Sequence, residues 1–592
     1  MRTPFRRPLV AGASVLLAGT ALAAIPPAAV AAGSAADDQR SYLVLASLGA
    51  SDQATRDAIR KAGGSISTVN EAVGLYTVTA PADSFAAAAS ALPAVAGVSR
   101  ERRIGSAPDR RLDPQQALER MVADRAAMTQ AATTPAVKAP VAKAPTAKAP
   151  TADAAPTPAP GQAPSDPLAP RQWNMELIRA WRAHTVETGH RVRVGIMDTG
   201  VDAAHPDIKP NFNYTLSRNF TVDMPDIDGP CEDEADASCT DAPTVDENGH
   251  GTHVAGTIAS PRNGVGIVGV APDAEIVNLR SGQDSGYFFV KPTVDALTYA
   301  GDQGIDVVNM SFYIDPWLFN CTANPKDSPE QQAEQQMVIQ VTQRALAYAR
   351  DRGVTLVAAA GNEHLDLDNP REDTSSPDYP EGTNYPRPID NSSCLSLPNE
   401  GQNVISVSSV GPSTLKADYS NWGYDGVDVA APGGYFNDGF GTPTYKNLAK
   451  NTILAPMPRA LALEDPLVNK ETGESRMPLI VAECTGTTAA TCSYYQYLQG
   501  TSMASPHAAG VAALIVGRWG KKRNAYDAIT MAPKHVERIL TRTATATPCP
   551  RPLFTYPDRS VEYNATCVGS VARNSWYGHG IVDALTAVTR RN

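Results

Sequence analysis

Short apolar runs rich in β-branched residues recur in the second part of the chain, and they constrain its fold most. The runs are residues 192–197, 274–279, 306–310, 354–359 and 403–407. Helical patterns over 291–303 and 331–352 lie between them. Runs this short and this apolar are typical of strands that are buried on both faces. Their alternation with helices predicts an α/β fold, with a doubly wound, mostly parallel sheet covered by helices on both sides.

A smaller unit precedes this region at residues 40–104. Strand patterns and helical patterns alternate there, over 41–46, 52–62, 74–80, 82–92 and 94–99. This order is typical of a ferredoxin-like β-α-β-β-α-β unit. The sequence therefore predicts a small α/β domain in front of the large sheet.

The segment 105–165 differs in composition from both of these regions. It repeats Lys-Ala-Pro at Lys138, Lys143 and Lys148 and continues with Ala, Pro and Thr. Such a composition cannot bury a core, so the segment is predicted to be an extended linker. An extended, exposed chain is also easily cut, which makes it a candidate processing region. The globular chain is then expected to run over 166–592.

The first 31 residues resemble an export signal. Arg2, Arg6 and Arg7 give a positive start, an apolar run over 9–24 follows, and 29–31 is a small-x-small cleavage pattern. The apolar run is too short for a membrane anchor. We therefore expect a secreted, extracellular protein without a membrane anchor.

Composition narrows the class of protein. The chain has 592 residues, 42% of them hydrophobic, and a formal net charge of −11, which argues against a nucleic-acid-binding protein. Its eight cysteines are an even number, and in an exported chain they favour disulfides. Pairing between sequence neighbours is expected, although the sequence alone does not fix the connectivity. The expected pairs are Cys231 with Cys239, Cys321 with Cys394, Cys484 with Cys492, and Cys549 with Cys567.

Two segments place a polar residue at the end of a predicted strand. Asp198 follows the apolar run 194–197, and Thr199 and Gly200 follow it. In a parallel sheet the carboxyl end of a strand faces the site crevice. Asn362 likewise follows a buried run and Gly361, so its amide could donate to a developing oxyanion. Taken alone, each residue is equally well explained as part of a turn.

Two further segments place a nucleophile or a base near a helix start. His250 is followed by Gly251 and a small-residue helix, and His253 is expected to pack one turn further on. The alternative, in which His250 and His253 bind a metal together, lacks a third ligand at a familiar spacing. Ser502 precedes a small-residue helix, where backbone N–H groups and the helix dipole favour an oxyanion. The alternative for Ser502 is an ordinary helix cap.

These four segments, in this order, resemble the subtilase family of serine proteases. The order Asp198, His250, Ser502 is the subtilisin order. The resemblance implies a subtilisin-like doubly wound fold, preceded by a ferredoxin-like inhibitory propeptide at 40–104. It implies that Ser502 is the nucleophile, His250 the general base, Asp198 the residue that orients it, and Asn362 the oxyanion donor.

The resemblance also implies a substrate-binding strand. Ser311 and Phe312 match the family's edge strand, which pairs with the substrate backbone, and Gly361 matches the opposite wall. Family members commonly have glycine where this chain has Tyr313. A large side chain there is expected to reshape the pocket for the residue before the cleaved bond.

A structural calcium site is a further expectation from the resemblance. Its ligands would be Asp166, Asp207 and Asn263 with the backbone of Val265 and Ile267, an oxygen-rich set that suits calcium. No cofactor is expected for catalysis itself. The acidic loop 223–246 is either a second calcium site or solvated surface, and we favour the interpretation as surface. The insertions 211–246 and 435–499 are expected to frame the cleft, where they would restrict access or bind substrate.

The leading hypothesis is a secreted serine endopeptidase, made as a self-processing zymogen and acting on protein or peptide substrates. Its own propeptide would be its intramolecular inhibitor, and a monomer is expected. One alternative is a catalytically inactive subtilase-like binding protein. Another is a hydrolase of non-peptide esters, which the same triad would permit.

Overall fold

The computed structural model describes residues 39–82, 84–100, 166–231, 238–380, 382–523 and 528–590. The predicted export signal at 1–31 and the predicted linker at 105–165 lie outside these residues.

The first described region is a four-stranded antiparallel sheet with two helices. Its elements are β1 Gln39–Ala46, α1 Asp52–Lys61, β2 Ser65–Asn70, β3 Leu75–Pro81, α2 Phe85–Ser90 and β4 Val95–Arg100. The strand order is β2-β3-β1-β4, which is the ferredoxin-like arrangement that the sequence predicted. Ser51 caps α1 by accepting from the backbone N–H of Ala54, and apolar side chains close the core between helices and sheet.

The remaining helices and strands belong to the larger region. The helices are α3 Trp173–Leu177, α4 Ala180–Ala183, α5 Pro225–Asp228, α6 His250–Ala259, α7 Val290–Gln303, α8 Pro329–Asp351, α9 Leu448–Asn451, α10 Arg459–Glu464, α11 Thr501–Trp519, α12 Pro533–Thr543 and α13 Ala584–Thr589. The strands are β5 Arg193–Met197, β6 Arg218–Asn219, β7 Glu275–Arg280, β8 Val307–Met310, β9 Asn320–Cys321, β10 Thr355–Ala359, β11 Glu372–Asp373, β12 Arg387–Pro388, β13 Cys394–Leu395, β14 Val404–Val410, β15 Val429–Pro432, β16 Ile453–Met457, β17 Ile480–Cys484, β18 Cys492–Leu498, β19 Lys521–Arg523, β20 Ala528–Thr530, β21 Leu553–Phe554, β22 Ala565–Thr566, β23 Gly569–Ser570 and β24 Arg573–Asn574.

The central sheet has seven strands in the order β15-β14-β10-β8-β5-β7-β6, and its neighbouring strands pair in parallel. Helices α6 and α11 pack on one face in a core of small and branched side chains. Helices α7 and α8 share a second buried cluster with β7, β8 and β10. The predicted doubly wound α/β fold is therefore confirmed. The edge strands β6 and β15 carried no strong sequence pattern, since they have only two and four residues.

The N-terminal domain packs against α7 and α8. Leu43 and Leu75 belong to the same buried cluster as Met337 and Val341 of α8. The Arg344 guanidinium donates to the carbonyl oxygens of Ala46 and Val73, at 2.8 and 3.2 Å. The Asn70 side-chain amide donates to Asp295 and Thr298 of α7.

The second insertion builds a sheet of its own. Strands β16, β18 and β17 pair antiparallel in that order, and β16 packs along α6.

All four disulfides expected between sequence neighbours are present: Cys231–Cys239, Cys321–Cys394, Cys484–Cys492 and Cys549–Cys567. Among the described helices, none combines the length and the apolar character that crossing a membrane requires.

Candidate active site

The sequence-predicted site residues meet at the carboxyl ends of the central strands. Asp198 follows β5, Ser311 follows β8, and Gly361 and Asn362 come after β10. His250 begins α6, and Ser502 is the second residue of α11. Except for Asp198, which lies fully buried behind His250, these residues line one cavity of about 270 Å³. The strand-end and helix-start positions expected from the sequence thus converge on one crevice.

Asp198 and His250 form a hydrogen-bonded pair. The Nδ1 atom of His250 lies 2.7 Å from Oδ1 of Asp198, whose side chain is fully buried. Burial opposes protonation of the imidazole, but the charge of Asp198 and its hydrogen bond outweigh that effect, so the pKa of His250 is raised above its ordinary value. The ring is therefore oriented with Nε2 as the nitrogen left for proton exchange.

Asp246 fixes the start of helix α6. Its carboxylate accepts from the backbone N–H groups of Gly249 and Thr252 and from the hydroxyls of Thr199 and Thr252. It is 4% exposed, so the interpretation of loop 223–246 as solvated surface is wrong at this position. A carboxylate near a helix N-terminus satisfies free N–H groups and the helix dipole. No pattern in the sequence marks Asp246 for this role, because its partners Thr199 and Thr252 are brought to it by the fold.

The same loop carries a second buried acidic group. Asp223, Asp241 and Asp284 surround the fully buried guanidinium of Arg280 and pair with it. Burial raises the pKa of Asp284 above its ordinary value, and the charge of Arg280 opposes that effect. Because a guanidinium already supplies the positive charge at the centre, the cluster is explained as a buried ion-pair network.

Ser502 stands between the wall of β8 and the start of α11. Its hydroxyl donates to the carbonyl oxygen of Ser311 at 3.1 Å. The side chain of Ser311 is held by Asn309 and by Ser505, at 2.8 Å each. Ser505 is thereby engaged inside the protein, while Ser502 faces the cavity.

The amide of Asn362 has a defined orientation. Its Oδ1 atom accepts from the backbone N–H and the hydroxyl of Thr501, at 2.8 and 2.9 Å. With the oxygen engaged, the amide nitrogen is the group left to donate. Gly361 has φ +101°, and a Cβ there would lie 2.3 Å from the Asn421 side chain, so the turn before Asn362 requires glycine. Thr501 was not singled out in the sequence, because a threonine before a serine carries no distinct pattern.

The wall formed by Ser311 and Phe312 departs from a regular strand. Strand β8 ends at Met310, so both residues lie beyond it. Phe312 stacks on Phe288 with ring centroids 4.1 Å apart. Tyr313 also lines the cavity, and its hydroxyl donates to Asp378 at 2.6 Å. The side chain expected to reshape the pocket is therefore part of its lining.

The proposed calcium ligands Asp166, Asp207 and Asn263 also lie together. Asp166 Oδ1 accepts from the N–H groups of Asn263 and Gly264, and Asp207 accepts from the amide of Asn263 and the N–H of Ile267. Oδ2 of Asp166 is buried without a hydrogen-bond partner. Burial raises the pKa of Asp207 to about 7. Two buried carboxyl groups with an orphaned oxygen fit a hard cation with oxygen ligands.

Residues of the second insertion contact Asp207 and the loop 263–267, which carry the proposed calcium ligands. The Tyr495 hydroxyl donates to Asp207 at 3.0 Å, and Glu483 accepts from the N–H of Gly266 at 2.8 Å. The insertion thus stabilises the loop as well as covering helix α6. His253, predicted to pack, is buried and hydrogen-bonds through Nε2 to the carbonyls of Ile453 and Gln496 in the same insertion.

Comparison with known proteins gives one consistent result. The sequence pattern of the Subtilase family, Peptidase_S8, matches residues 189–580. The major intracellular serine protease of Bacillus subtilis (strain 168) is 30% identical over 329 residues, which are 55% of this chain and 69% of that protein. Thermitase of Thermoactinomyces vulgaris is 28% identical over 295 residues, 50% of this chain and 81% of that protein.

A solved structure shows the same fold. It is the epidermin leader peptide processing serine protease of Staphylococcus aureus, with a TM-score of 0.58 and 18% sequence identity. The alignment covers 94% of this chain and all of that one.

Proposed function

Because this chain belongs to the subtilase family of serine proteases, we propose that it is a secreted endopeptidase, made as a self-processing zymogen, that acts through Asp198, His250 and Ser502. The observation that carries the proposal is the hydrogen-bonded Asp198–His250 pair, which shares a crevice with Ser502 and Asn362. An Asp-His pair orients the imidazole as a general base, and a serine in the same crevice is the residue that such a base activates.

The proposed reaction begins with Ser502. Its hydroxyl turns from the Ser311 carbonyl toward His250, gives its proton to Nε2, and attacks the peptide carbonyl carbon. The resulting oxyanion is stabilised by the Asn362 amide nitrogen and by the Ser502 N–H at the start of α11. His250 then protonates the leaving amine, and an acyl-enzyme remains. In the second half of the reaction, His250 takes a proton from water as the water attacks the acyl carbonyl, and it returns the proton to Ser502 as the ester bond breaks.

The substrate in this proposal is an extended peptide. Ser311 and Phe312 on one side and Gly361 on the other leave a groove into which a peptide strand can pair. That groove favours peptide substrates over non-peptide esters. The triad and oxyanion positions are all filled, which disfavours the inactive binding protein.

Zymogen processing and secretion belong to the same proposal. The N-terminal domain would inhibit the enzyme while it is packed on α7 and α8, and cleavage within 105–165 would separate it. Four disulfides and the sequence of residues 1–31 support export. Asp166, Asp207, Asn263 and the backbone of Val265 and Ile267 would hold a structural calcium ion, and calcium would take no part in the chemistry.

The test uses the full chain and its Ser502→Ala variant. Purified wild-type protein should cut itself within 105–165, react with a fluorophosphonate probe at Ser502, and hydrolyse casein. The variant should do none of these and should unfold at the same temperature as the wild type.

A folded wild-type protein that neither labels nor cleaves would instead support the inactive binding protein. Labelling with turnover of simple esters but no peptide would support the ester hydrolase. Mass spectrometry of the probe adduct identifies the labelled serine, with Ser505 as the internal comparison.

A further inference from the structure

The cavity beside Ser502 is lined by the carboxyl groups of Asp315 and Glu363 and by the amide of Asn399. We propose that it selects a lysine or arginine side chain on the acyl side of the cleaved bond, called here the acyl-side residue. This inference rests on the proposed endopeptidase activity and specifies its substrate class. It is carried by Asn399, Glu363 and Asp315, none of which the catalytic steps above use.

Asn399 is a buried polar residue in the cavity lining. Its side chain is 5% exposed and lines the cavity, and neither its amide nitrogen nor its amide oxygen has a hydrogen-bond partner. Leaving such a group buried and unpaired costs about 1–3 kcal/mol. A substrate side chain that ends in a hydrogen-bonding group would remove that cost, whereas a purely apolar one would not.

Two carboxyl groups in the lining determine the sign of the charge. Glu363 accepts from the side-chain amide of Asn421 at 2.7 Å, and Asp315 accepts from the backbone N–H of Phe288 at 2.5 Å. The Asn421 amide that donates to Glu363 is uncharged, so it does not neutralise that carboxyl group. Among the described residues that line the cavity, none is a lysine or an arginine. In a partly desolvated cavity this arrangement attracts a cation and repels an anion.

The rest of the cavity suits the stem of such a side chain. Phe312 and Leu318 add apolar surface to the lining of the same cavity. Lysine and arginine place methylene groups along apolar walls while their charged ends reach polar partners. Arginine has the additional advantage of several donors, which can serve a carboxylate and the Asn399 amide oxygen together.

The experiment compares peptides that differ only at the acyl-side residue. The set contains arginine, lysine, glutamine, norleucine and glutamate, and kcat/KM is measured with the processed enzyme. We expect arginine and lysine to exceed glutamine by at least about 10-fold, because one favourable charge interaction of about 1.4 kcal/mol gives that factor. Glutamate should be the poorest. Mapping of self-cleavage sites within 105–165 is a second readout, since both arginines and lysines occur there.

Variants then assign the preference to named side chains. Glu363→Gln should lower the arginine-to-glutamine ratio by about 10-fold. Asn399→Leu should raise kcat/KM for the norleucine peptide relative to that for the arginine peptide. Misfolding cannot produce such a gain. Glu474→Gln removes the same charge from an exposed position in the second insertion and should leave the ratio unchanged.

The possible failures are distinguishable. If the enzyme labels with fluorophosphonate and cleaves norleucine or glutamine peptides as fast as arginine peptides, the inference on the pocket is overturned while the proposed activity stands. If no peptide is cleaved and no label is taken up, the proposed activity itself fails. Unchanged ratios in both Glu363→Gln and Asn399→Leu would also overturn the assignment.

Discussion

His250 owes its protonation behaviour to the side chains around it. Burial alone would keep the imidazole neutral, but Asp198 lies at hydrogen-bond distance and Asp246 adds further negative charge. In the proposed reaction, the base form of His250 accepts the Ser502 proton. Acidification protonates this base and abolishes activity. Because the pKa of His250 is raised, that loss should occur at a higher pH than it would with an unperturbed histidine.

The pH profile tests this arrangement. The logarithm of kcat/KM should rise with pH through an apparent pKa above about 6.5 and then level off. Asp198→Asn removes the charge that raises this pKa, so the acid limb should move to lower pH while kcat falls by about 10⁴-fold, as in other serine-protease triads.

Asp425→Asn is the matched control, since its carboxylate is 87% exposed. It should leave the acid limb in place. An acid limb that does not move in Asp198→Asn would show that another group controls it.

At the scale of single elements, the loop 263–267 connects the calcium proposal to the second insertion. Asp207, Glu483 and Tyr495 all contact it, and Gly266 has φ +52° with the Tyr495 hydroxyl 1.9 Å from where a Cβ would stand. The loop therefore depends on glycine at this position. It also brings strands β17 and β18 into contact with the proposed ligands.

Removal of calcium should destabilise the protein rather than slow its chemistry. An ion at about 100 times its Kd adds about 2.7 kcal/mol to the free energy of unfolding. We expect EGTA to lower the Tm of the wild-type protein, and Asp207→Asn to have a lowered Tm that EGTA no longer changes. Initial rates below the transition should remain similar.

Thermal unfolding followed by circular dichroism, with and without added calcium, checks this expectation. Asp425→Asn again serves as the control, and its response to EGTA should match the wild type. An equal Tm with calcium and with EGTA would argue against the site.

The elements also show what the sequence could predict. Strands β5, β7, β8, β10 and β14 were predictable because each is a nearly continuous apolar run, buried on both faces. Asp198, His250, Ser502 and Asn362 were predictable because their motifs stand at strand ends and helix starts.

Asn399, Glu363 and Asp246 were not predictable in the same way. Their importance comes from residues far away in sequence, such as Asn421 for Glu363 and Thr199 for Asp246. An isolated acidic or amide residue in a loop carries no periodic pattern, so only its tertiary surroundings reveal its contacts.

At the scale of the whole molecule, the N-terminal domain and the larger region share a core. Apolar side chains of β1 and β3 lie in the same buried cluster as those of α7 and α8. Arg344 adds two hydrogen bonds at the edge of this contact. The domain is therefore expected to stay bound after the linker is cut.

Arg344→Ala should weaken that retention. Loss of two charge-assisted hydrogen bonds, each contributing about 1.5–3 kcal/mol, should lower the affinity of the cut domain by more than about 10-fold. Size-exclusion chromatography of the self-processed protein, followed by gel analysis, measures how much of the N-terminal fragment stays with the enzyme. Free activity should rise in parallel.

Arg350→Ala is the control on the same helix. Its guanidinium bonds the carbonyl of Asn403 and the carboxylate of Glu537, both in the larger region. It should retain the fragment as the wild type does. Equal retention in Arg344→Ala would show that the apolar contact alone holds the domain.

The disulfide between Cys321 and Cys394 has a consequence for how the protein is manufactured. It closes the span between two segments of the cavity lining, since Leu318 lies three residues before Cys321 and Ser396 two residues after Cys394. The Asp198–His250 pair and Ser502 lie outside that span, whereas Gly361 and Asn362 lie within it. A batch produced in a reducing host should therefore accept a wider range of side chains and also turn over more slowly, because the proposed oxyanion donor belongs to the span that has lost its closure. For such a preparation, selectivity and total activity together report correct oxidation.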